Sequence, residues 1–276
     1  MQLNKKKGKS ENEEKYSDKT YEKFAAYYDQ IYHDKNYELE CNFIISFFRK
    51  FGLSKGSKIL DLGCGTGEHS VILGKKGFHM TGMDISEVAL EIAKKKAQQM
   101  RINAKFIKRD MSDFKLAEKF DACISMFSSL CYLIEIVQFK KTLQAVKQHL
   151  KPGGLLIFDY WNGNAVVNER PSTKVKIVKF GKRRIVRIAT PKIDFPKQIC
   201  EIEYHCIIIE NHSVIDEFKE VHKIRYHFPA DITDNLKEAG FDVIKISPIN
   251  DANSSEGINP YLGSWYLAVI ARKNAN

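Results

Sequence analysis

The 276-residue sequence lacks an apolar run of the ~20 residues that a helix needs to cross a bilayer. Its first fifteen letters, MQLNKKKGKSENEEK, are charged throughout and have no apolar core of the kind that a secretion signal carries. The six cysteines form no Cys-x-x-Cys pair and no metal-finger spacing. These absences predict a cytoplasmic protein with reduced thiols, no membrane segment and no metal site.

Charge is the next restriction on function. The sequence has 44 Lys and Arg against 34 Asp and Glu, which gives a formal net charge of +10. Such a balance fits either nucleic acid or an anionic metabolite as partner. The lysines are spread along the chain, the one dense cluster is Lys5–Lys9, and no RNA-binding module is recognisable. This favours a solvated basic surface over an RNA partner, and it is compatible with a nucleotide-linked substrate.

Hydrophobic patterning divides the chain into five parts. Low hydrophobicity predicts a disordered tail over residues 1–18, and helical spacing of apolar residues predicts a helical cap over 19–52. Strands then alternate with helices over 53–168 and again over 229–276. This alternation predicts an α/β core, in which a parallel sheet has helices on both faces.

The intervening part, residues 169–228, has strand-like alternation instead. Ile202, Tyr204 and Cys206 would share one face, and Glu201 and Glu203 the other. This pattern predicts a four-stranded antiparallel β insertion with one polar face.

Turn residues set boundaries inside the core. The run Pro152-Gly153-Gly154 predicts a turn into a strand over 155–160, and an apolar stretch predicts a strand over 120–127. The polar segment 248–263 predicts a loop long enough to be functional.

A glycine-rich run follows the first strand of the core. The run is Asp61-Leu62-Gly63-Cys64-Gly65-Thr66-Gly67, and Asp84 ends the next strand, where its carboxylate could accept hydrogen bonds from both hydroxyls of a ribose. Dinucleotide sites prefer the spacing GxGxxG, because the helix N-terminus receives a pyrophosphate. Here Asp61 would repel a pyrophosphate but would suit the ammonium group of an amino acid. The run therefore favours a nucleoside joined to an amino acid over a dinucleotide, and over a turn that merely needs glycine.

Two further segments complete a motif set. Arg109-Asp110-Met111 ends the third strand, and Leu150-Lys151-Pro152-Gly153-Gly154-Leu155 joins a long helix to the fifth. The set resembles class I S-adenosylmethionine (SAM) dependent methyltransferases over roughly 21–160 and 229–272. The resemblance implies a Rossmann-like seven-stranded sheet with the last strand inserted antiparallel, and SAM as cofactor. The cofactor-binding residues that it implies are Asp61, Gly63, Cys64, Gly65, Gly67, Asp84, Ile85, Asp110 and Met111, the last two at the adenine.

A closer resemblance is to the nucleotide-sugar N,N-dimethyltransferases that make desosamine and mycaminose. The segments that carry it are Phe24-Ala25-Ala26-Tyr27-Tyr28-Asp29, then Tyr32, Lys35 and Tyr37, and later Met126-Phe127-Ser128-Ser129-Leu130. It implies that Tyr28 and Tyr37 close over the cofactor, that Met126 approaches it, and that the β insertion supports a homodimer. The alternative for both tyrosines is ordinary helix packing.

The acceptor side departs from that group. Tyr132 stands where the group has a histidine, the segment 253–263 is longer, and Asp159-Tyr160-Trp161-Asn162 replaces Glu-Pro-Trp-Trp. The sugar substrate therefore does not carry over with the resemblance. Tyr132 is the candidate catalytic residue, to orient or deprotonate the acceptor, and its alternative role is packing beneath the insertion.

The resulting hypothesis is methyl transfer to a small-molecule acceptor. An amine nitrogen is favoured, because the sequence shows no evident acid–base pair of the kind that a hydroxyl acceptor more often demands. An aminosugar nucleotide would be one such acceptor. A small-molecule O-methyltransferase, an RNA methyltransferase and a SAM-binding regulatory module remain as alternatives.

Overall fold

The computed structural model describes residues 21–249 and 260–274. The α-helices are α1 (Glu22–Ile31), α2 (Tyr37–Lys50), α3 (Glu68–Lys75), α4 (Glu87–Gln99), α5 (Ile136–His149), α6 (Gly163–Glu169), α7 (Pro229–Ala239) and α8 (Pro260–Gly263), and a 3₁₀ helix covers Ser129–Tyr132. The strands are β1 (Lys58–Leu62), β2 (His79–Asp84), β3 (Ala104–Lys108), β4 (Phe120–Ser125), β5 (Leu150–Trp161), β6 (Lys174–Phe180), β7 (Arg183–Asp194), β8 (Ile199–Glu210), β9 (Ser213–Arg225), β10 (Phe241–Ser247) and β11 (Tyr266–Lys273). The predicted tail 1–18 lies outside the described residues, and so does most of the predicted loop 248–263.

Seven strands form the main sheet, in the order β10-β11-β5-β4-β1-β2-β3. Strands β1 to β5 pair in parallel, whereas β11 is antiparallel to both β5 and β10. The predicted Rossmann-like fold is thus confirmed. Asp61 is in register with Gly82 of β2 and Ile124 of β4, so the carboxyl ends of these strands meet at one edge, where such sheets bind ligands.

Helices cover both faces of this sheet, as predicted. Successive residues of a strand point to opposite faces. In β5, Leu156 and Phe158 join the apolar cluster that contains Phe139 of α5, whereas Leu155 and Ile157 join the cluster that contains Phe48 of α2. The two clusters therefore lie on opposite faces and anchor the helices that surround the site.

The insertion is a four-stranded antiparallel sheet, β6-β7-β8-β9, which confirms the prediction for this segment. Its inner face packs against α1 through a separate apolar cluster. The main members are Phe24, Ile31, Val178, Ile185, Cys206, Ile208 and Phe218. The insertion and the helical cap therefore pack against each other over the edge of the core. The boundaries predicted at 168 and 228 stay predictions.

The outer face of the insertion differs from the prediction of a polar face. Ion pairs such as Lys219–Glu203 cover its β8–β9 side. On the β6–β7 side, Val175 and Ile177 are each 60% exposed, and their cross-strand partners are Ile188 and Val186. Val186 in turn pairs with Ile207. We call these five residues the outer apolar patch. The polar prediction was wrong here because it rested on β8 and β9 alone.

Two local predictions also need correction. Strand β4 ends at Ser125 rather than at 127, because Phe127 and Ser128 both have a left-handed φ of +59° and turn the chain. The predicted turn at Pro152–Gly154 lies within β5. There the pairing with β4 jumps from Leu150 to Leu155, so the intervening residues form a bulge.

Helix α6 was not predicted. The side chain of Asn162 caps it by accepting a hydrogen bond from the N–H of Asn164. The same side chain donates to the carbonyls of Tyr261 and Ser264, at 2.7 and 2.9 Å. Asn162 therefore fastens the segment before β11 to the end of β5.

Among the described residues the longest helices have 14 residues, and none combines the length and apolarity needed to cross a membrane.

Candidate active site

The glycine run forms a tight turn between β1 and α3. Gly63, Gly65 and Gly67 all have left-handed φ values, of +65°, +52° and +80°. A Cβ at Gly63 would lie 2.6 Å from Cβ of Ser129, and one at Gly67 would lie 2.8 Å from Cβ of Ala93. A Cβ at Gly65 would meet nothing within 4 Å. The first and third glycines thus serve close packing, whereas Gly65 faces open space that a ligand could fill.

Asp84 lies beside this turn at the end of β2. Its carboxylate accepts hydrogen bonds from the N–H of Gly65 at 2.8 Å and from the N–H of Ser86 at 2.9 Å. Burial raises the pKa of Asp84, and these backbone hydrogen bonds oppose that rise. Asp84, the residue predicted to bind a ribose, is therefore hydrogen-bonded to the glycine turn. The other lone pairs of its carboxylate remain available to hydroxyl groups.

Asp61 lies behind the turn and is 2% exposed. Its carboxylate accepts a hydrogen bond from the hydroxyl of Ser70 at 2.6 Å. Burial raises the pKa of Asp61, while His69 and Ser70 lower it. A buried negative charge with a single described hydrogen-bond donor would suit a further ammonium donor from a ligand.

The other residues assigned to the cofactor lie around the same turn. Cys64 is buried and its Sγ lies 2.9 Å from where a Cβ of Gly82 would stand, so its side chain packs beneath the turn. Burial raises its pKa, which makes it an unreactive thiol.

Cε of Met111 lies 3.2 Å from the Cβ position of Gly63. Asp110 is exposed and accepts from the N–H of Ser112. Ile85, next to Asp84, is half-buried.

The segment after β4 closes the other side of the turn. Met126 is buried, and the hydroxyl of Ser129 lies 3.0 Å from the carbonyl oxygen of Gly63. The N–H of Ser128 donates to Asp159 of β5 at 2.8 Å. Burial raises the pKa of Asp159 to about 6, and the Ser128 hydrogen bond opposes this. The left-handed φ values of Phe127 and Ser128 are a strained feature of the kind that clusters at functional sites.

The helical cap brings Tyr28 and Tyr37 together. Burial raises the pKa of both groups, and the hydroxyl of Tyr37 has no hydrogen-bond partner among the described residues. The ammonium of Lys35 lies 4.6 Å from the ring centroid of Tyr37 and 4.5 Å from that of Phe127. It also pairs with Glu40, whose other carboxylate oxygen lies 2.7 Å from Nε2 of His69. A buried polar network thus links α2 to the start of α3.

A second network links α1 to the glycine turn. Asp29 accepts from the hydroxyl of Thr66 at 2.6 Å and pairs with Lys96 of α4 at 2.7 Å. Lys96 also pairs with Glu68, the first residue of α3. Helix α1 is therefore held directly over the turn.

Tyr132 lies at the end of the 3₁₀ helix and faces the insertion. Its hydroxyl is 2.9 Å from Nδ1 of His222 on β9. Both the packing role and the catalytic role considered for Tyr132 are compatible with this position. His222 was not among the residues predicted for the site, although it has the same strand parity as the buried residue Ile224.

Aromatic side chains from four parts of the chain converge here. We call the set Tyr28, Tyr32, Tyr132, Tyr204 and Tyr266 the tyrosine cluster. Arg187 of β7 reaches into it: its Nη1 donates to the hydroxyl of Tyr32 at 2.9 Å, and its guanidinium carbon lies 5.6 and 5.5 Å from the rings of Tyr32 and Tyr204. Nε of Arg187 is buried and has no hydrogen-bond partner among the described residues.

The part of the chain that holds the glycine turn is similar to known proteins. Residues 59–154 match the family model described as a methyltransferase domain. A protein of Geobacillus sp. (strain WCH70) is 38% identical over 141 residues, 51% of this chain and 57% of that protein, so the chain spans little more than half of this relative. The dTDP-3-amino-3,4,6-trideoxy-alpha-D-glucopyranose N,N-dimethyltransferase of Streptomyces venezuelae is 27% identical over 222 residues, 79% of this chain and 90% of that protein.

A solved structure extends the likeness to nearly the whole chain. It is the S-adenosylmethionine-dependent methyltransferase from Clostridium acetobutylicum ATCC 824, with a TM-score of 0.75 at 22% identity. The match covers 92% of this chain and 99% of that one. At this identity the likeness is one of fold, and it includes the insertion as well as the core.

Proposed function

Since this chain carries a class I S-adenosylmethionine-dependent methyltransferase domain, we propose that it methylates an amine nitrogen of a small-molecule acceptor, with amino-sugar nucleotides as the first class to test. The observation that carries the proposal is the tyrosine cluster next to the glycine turn. Electron-rich aromatic faces attract ammonium groups, by ~0.5–2 kcal/mol for each contact. Beside this cluster, the ammonium of Lys35 lies over the rings of Tyr37 and Phe127, which shows the same kind of contact.

The cofactor, when bound, supplies an electrophilic methyl group on a positively charged sulfur. We propose that Asp84 receives the ribose hydroxyls, that Asp61 attracts the ammonium of the methionine part, and that Gly65 allows the close approach. The remaining residues that we assign to cofactor binding are Tyr28, Tyr37, Gly63, Cys64, Gly67, Ile85, Asp110, Met111 and Met126. The protein's own contribution is mainly alignment, which can be worth ~7–11 kcal/mol.

We further propose that the acceptor is anionic. The guanidinium of Arg187 reaches the tyrosine cluster with a buried, unpartnered Nε. Burying such a donor is costly unless it finds an acceptor, and a phosphate or carboxylate of the substrate would supply one. The relative from Streptomyces venezuelae acts, by its name, on a dTDP-linked amino sugar, which carries both an amine and phosphates.

O-methylation is a second candidate that one observation favours. The sequence showed no evident acid–base pair, but the fold brings His222 and Glu220 behind the hydroxyl of Tyr132. A hydroxyl acceptor needs such a base, whereas a neutral amine needs only its lone pair.

We also propose a homodimer in the cytoplasm. The outer apolar patch is a set of aliphatic side chains on an exposed sheet, and a second copy of the chain would cover it. The six cysteines are all buried free thiols, which suits a reducing compartment.

The test uses methyl-labelled SAM and a panel of acceptors. The panel contains dTDP-3-amino-3,4,6-trideoxyglucose, simple primary amines, phenols and tRNA, each with the unaltered protein and with Asp84→Ala as the control. Label on nitrogen of a small molecule, lost in the control, is the expected result. Label on oxygen, or on RNA alone, would overturn the proposal.

A further inference from the structure

A chain of three polar side chains runs from the tyrosine cluster into the insertion. The hydroxyl of Tyr132 lies 2.9 Å from Nδ1 of His222, and Nε2 of His222 lies 3.4 Å from Oε2 of Glu220. Tyr132 belongs to the core, whereas His222 and Glu220 are alternate residues of β9 and share its inner face. The chain thus exists only because the insertion folds back over the 3₁₀ helix.

The hydrogen-bond partners favour one imidazole tautomer. A carboxylate can only accept, so Glu220 favours the form of a neutral His222 that carries its proton on Nε2. Nδ1 then carries the lone pair and accepts from the hydroxyl of Tyr132. The hydroxyl oxygen of Tyr132 keeps lone pairs that can accept a proton from a substrate, and the residue is half-buried.

The two inner members are sheltered from solvent. The side chains of His222 and Glu220 are 4% and 9% exposed. The titratable groups that surround the imidazole are Tyr21 before α1, Tyr132 on the 3₁₀ helix, Tyr204 on β8 and Glu220 on β9, and Arg187 of β7 contacts the ring of Tyr204. Glu220 also accepts from the N–H of Phe24 at 3.1 Å, which ties the relay to α1. Glu220 is therefore the negative charge that an imidazolium at this position would face directly.

We propose that Tyr132, His222 and Glu220 form a proton relay that deprotonates the acceptor, with Tyr132 in contact with the substrate and His222 and Glu220 positioned behind it. The inference rests on the proposed amine acceptor. An N–H bond of the acceptor ammonium breaks as an O–H bond forms on Tyr132. The original O–H bond of Tyr132 breaks as an N–H bond forms at Nδ1 of His222. The positive charge thereby moves from the acceptor to an imidazolium beside the Glu220 carboxylate, and the freed nitrogen lone pair can attack.

The same sheet offers a matched control. On its outer face, Nε2 of His205 lies 2.7 Å from Oε1 of Glu217. That pair joins β8 to β9, the strand that carries His222 and Glu220, but it does not face the tyrosine cluster. His205→Gln therefore reports on any general effect of removing a histidine from the insertion.

The first experiment is the pH dependence of kcat, measured with the panel member that accepts the label. In His222→Gln the amide can still hydrogen-bond Tyr132 but cannot take up the proton. We expect kcat to fall about 10²-fold or more in the pH range where the acceptor amine is still protonated but the imidazole of the unaltered protein is neutral and can take up the proton. The loss should shrink to about tenfold or less once the acceptor amine is itself neutral, because the lone pair is then already free. His205→Gln should follow the unaltered protein throughout. A pH profile of His222→Gln that runs parallel to that of the unaltered protein would overturn the relay.

A second experiment needs no substrate. Nitrogen-15 NMR of the protein without ligands reports which ring nitrogen of each neutral histidine carries the proton. The relay requires the proton of His222 at Nε2, and a change of the Nδ1 resonance in Tyr132→Phe. A proton at Nδ1, or no response to Tyr132→Phe, would rule the relay out. Since this readout is independent of turnover, it stands even if the panel shows that the acceptor atom is oxygen and the proposed function is wrong.

Discussion

The carboxylate of Asp84 accepts a hydrogen bond from the N–H of Gly65 at 2.8 Å, so the end of β2 fixes the one glycine of the turn that faces open space. Both groups come from sequence-local motifs, yet the hydrogen bond joins positions that are 19 residues apart. Cofactor affinity should therefore depend on Asp84 twice, through the ribose and through the shape of the turn.

We expect Asp84→Ala to weaken SAM binding by about 1.5–3 kcal/mol, the usual value for hydrogen bonds to a charged acceptor. Calorimetric titration with SAM measures this directly. Asp242→Ala, at an exposed position of β10, is the control and should bind normally. Unchanged affinity in Asp84→Ala would contradict the assignment of the site.

Gly65 and Gly67 should respond differently to substitution by alanine. A left-handed alanine costs about 1–2 kcal/mol at either position. Gly67→Ala adds a contact of 2.8 Å to Ala93, so it should cost a further ~1–3 kcal/mol of folding stability. Gly65→Ala adds no such contact, and its main effect should be loss of SAM affinity, since its methyl group enters the space assigned to the ligand.

Thermal unfolding and calorimetry together separate these effects. Gly181→Ala, in the β6–β7 turn, has a φ of +60° and nothing within 4 Å, so it should match Gly65→Ala in stability and bind SAM normally. Equal SAM affinity in Gly65→Ala and Gly181→Ala would mean that the ligand does not approach Gly65.

The fold and the cofactor turn could be predicted because their signals are local. The run from Asp61 to Gly67 and the capping residue Ser86, whose side chain accepts from the N–H of Ala89, lie within the elements they define. The acceptor side depends on pairs that are distant in sequence. Ser128 and Asp159 are 31 residues apart, and Tyr132 and His222 are 90 residues apart. Nothing in the local pattern around either member indicates its partner.

Asp159 should make folding stability depend on pH. Its pKa rises from 3.8 to about 6 in the folded protein, because it is buried. Between these values the folded state binds more protons than the unfolded state, so stability falls as the pH rises. Asp159→Asn keeps an oxygen to accept from Ser128 but cannot ionise. It should be more stable than the unaltered protein by about 2–3 kcal/mol above pH ~6, and this advantage should disappear below pH ~4.

Urea unfolding across this pH range measures the difference. Asp242→Asn is the control for replacing a carboxylate at an exposed position of β10. An advantage of Asp159→Asn that is the same at all pH values would show that the carboxyl group does not titrate in this range.

The outer apolar patch leads to a prediction about assembly. We expect the protein to have a dimeric mass by light scattering at micromolar concentration, and Ile177→Glu to shift it to a monomer. A charge buried in an apolar interface without a partner is strongly unfavourable. The control is Met100→Glu, which should leave the dimer intact. Met100 is the C-cap residue of α4 and is 51% exposed. A monomeric unaltered protein would refute the prediction, and a dimeric Ile177→Glu would locate the interface elsewhere.

Arg187 provides a test of substrate charge. Replacing it with methionine removes the guanidinium but retains much of the side-chain volume between Tyr32 and Tyr204. If the guanidinium binds an anionic group of the acceptor, KM for a phosphate-bearing acceptor should rise about 10- to 150-fold, as expected for ~1.5–3 kcal/mol from a charged hydrogen bond. For a neutral simple amine KM should change little.

Arg184→Met is the matched control, because Arg184 lies on the same strand but is exposed and points to the outer face. An equal rise of KM for charged and neutral acceptors in Arg187→Met would show that the arginine supports the fold of the tyrosine cluster rather than the recognition of an anion.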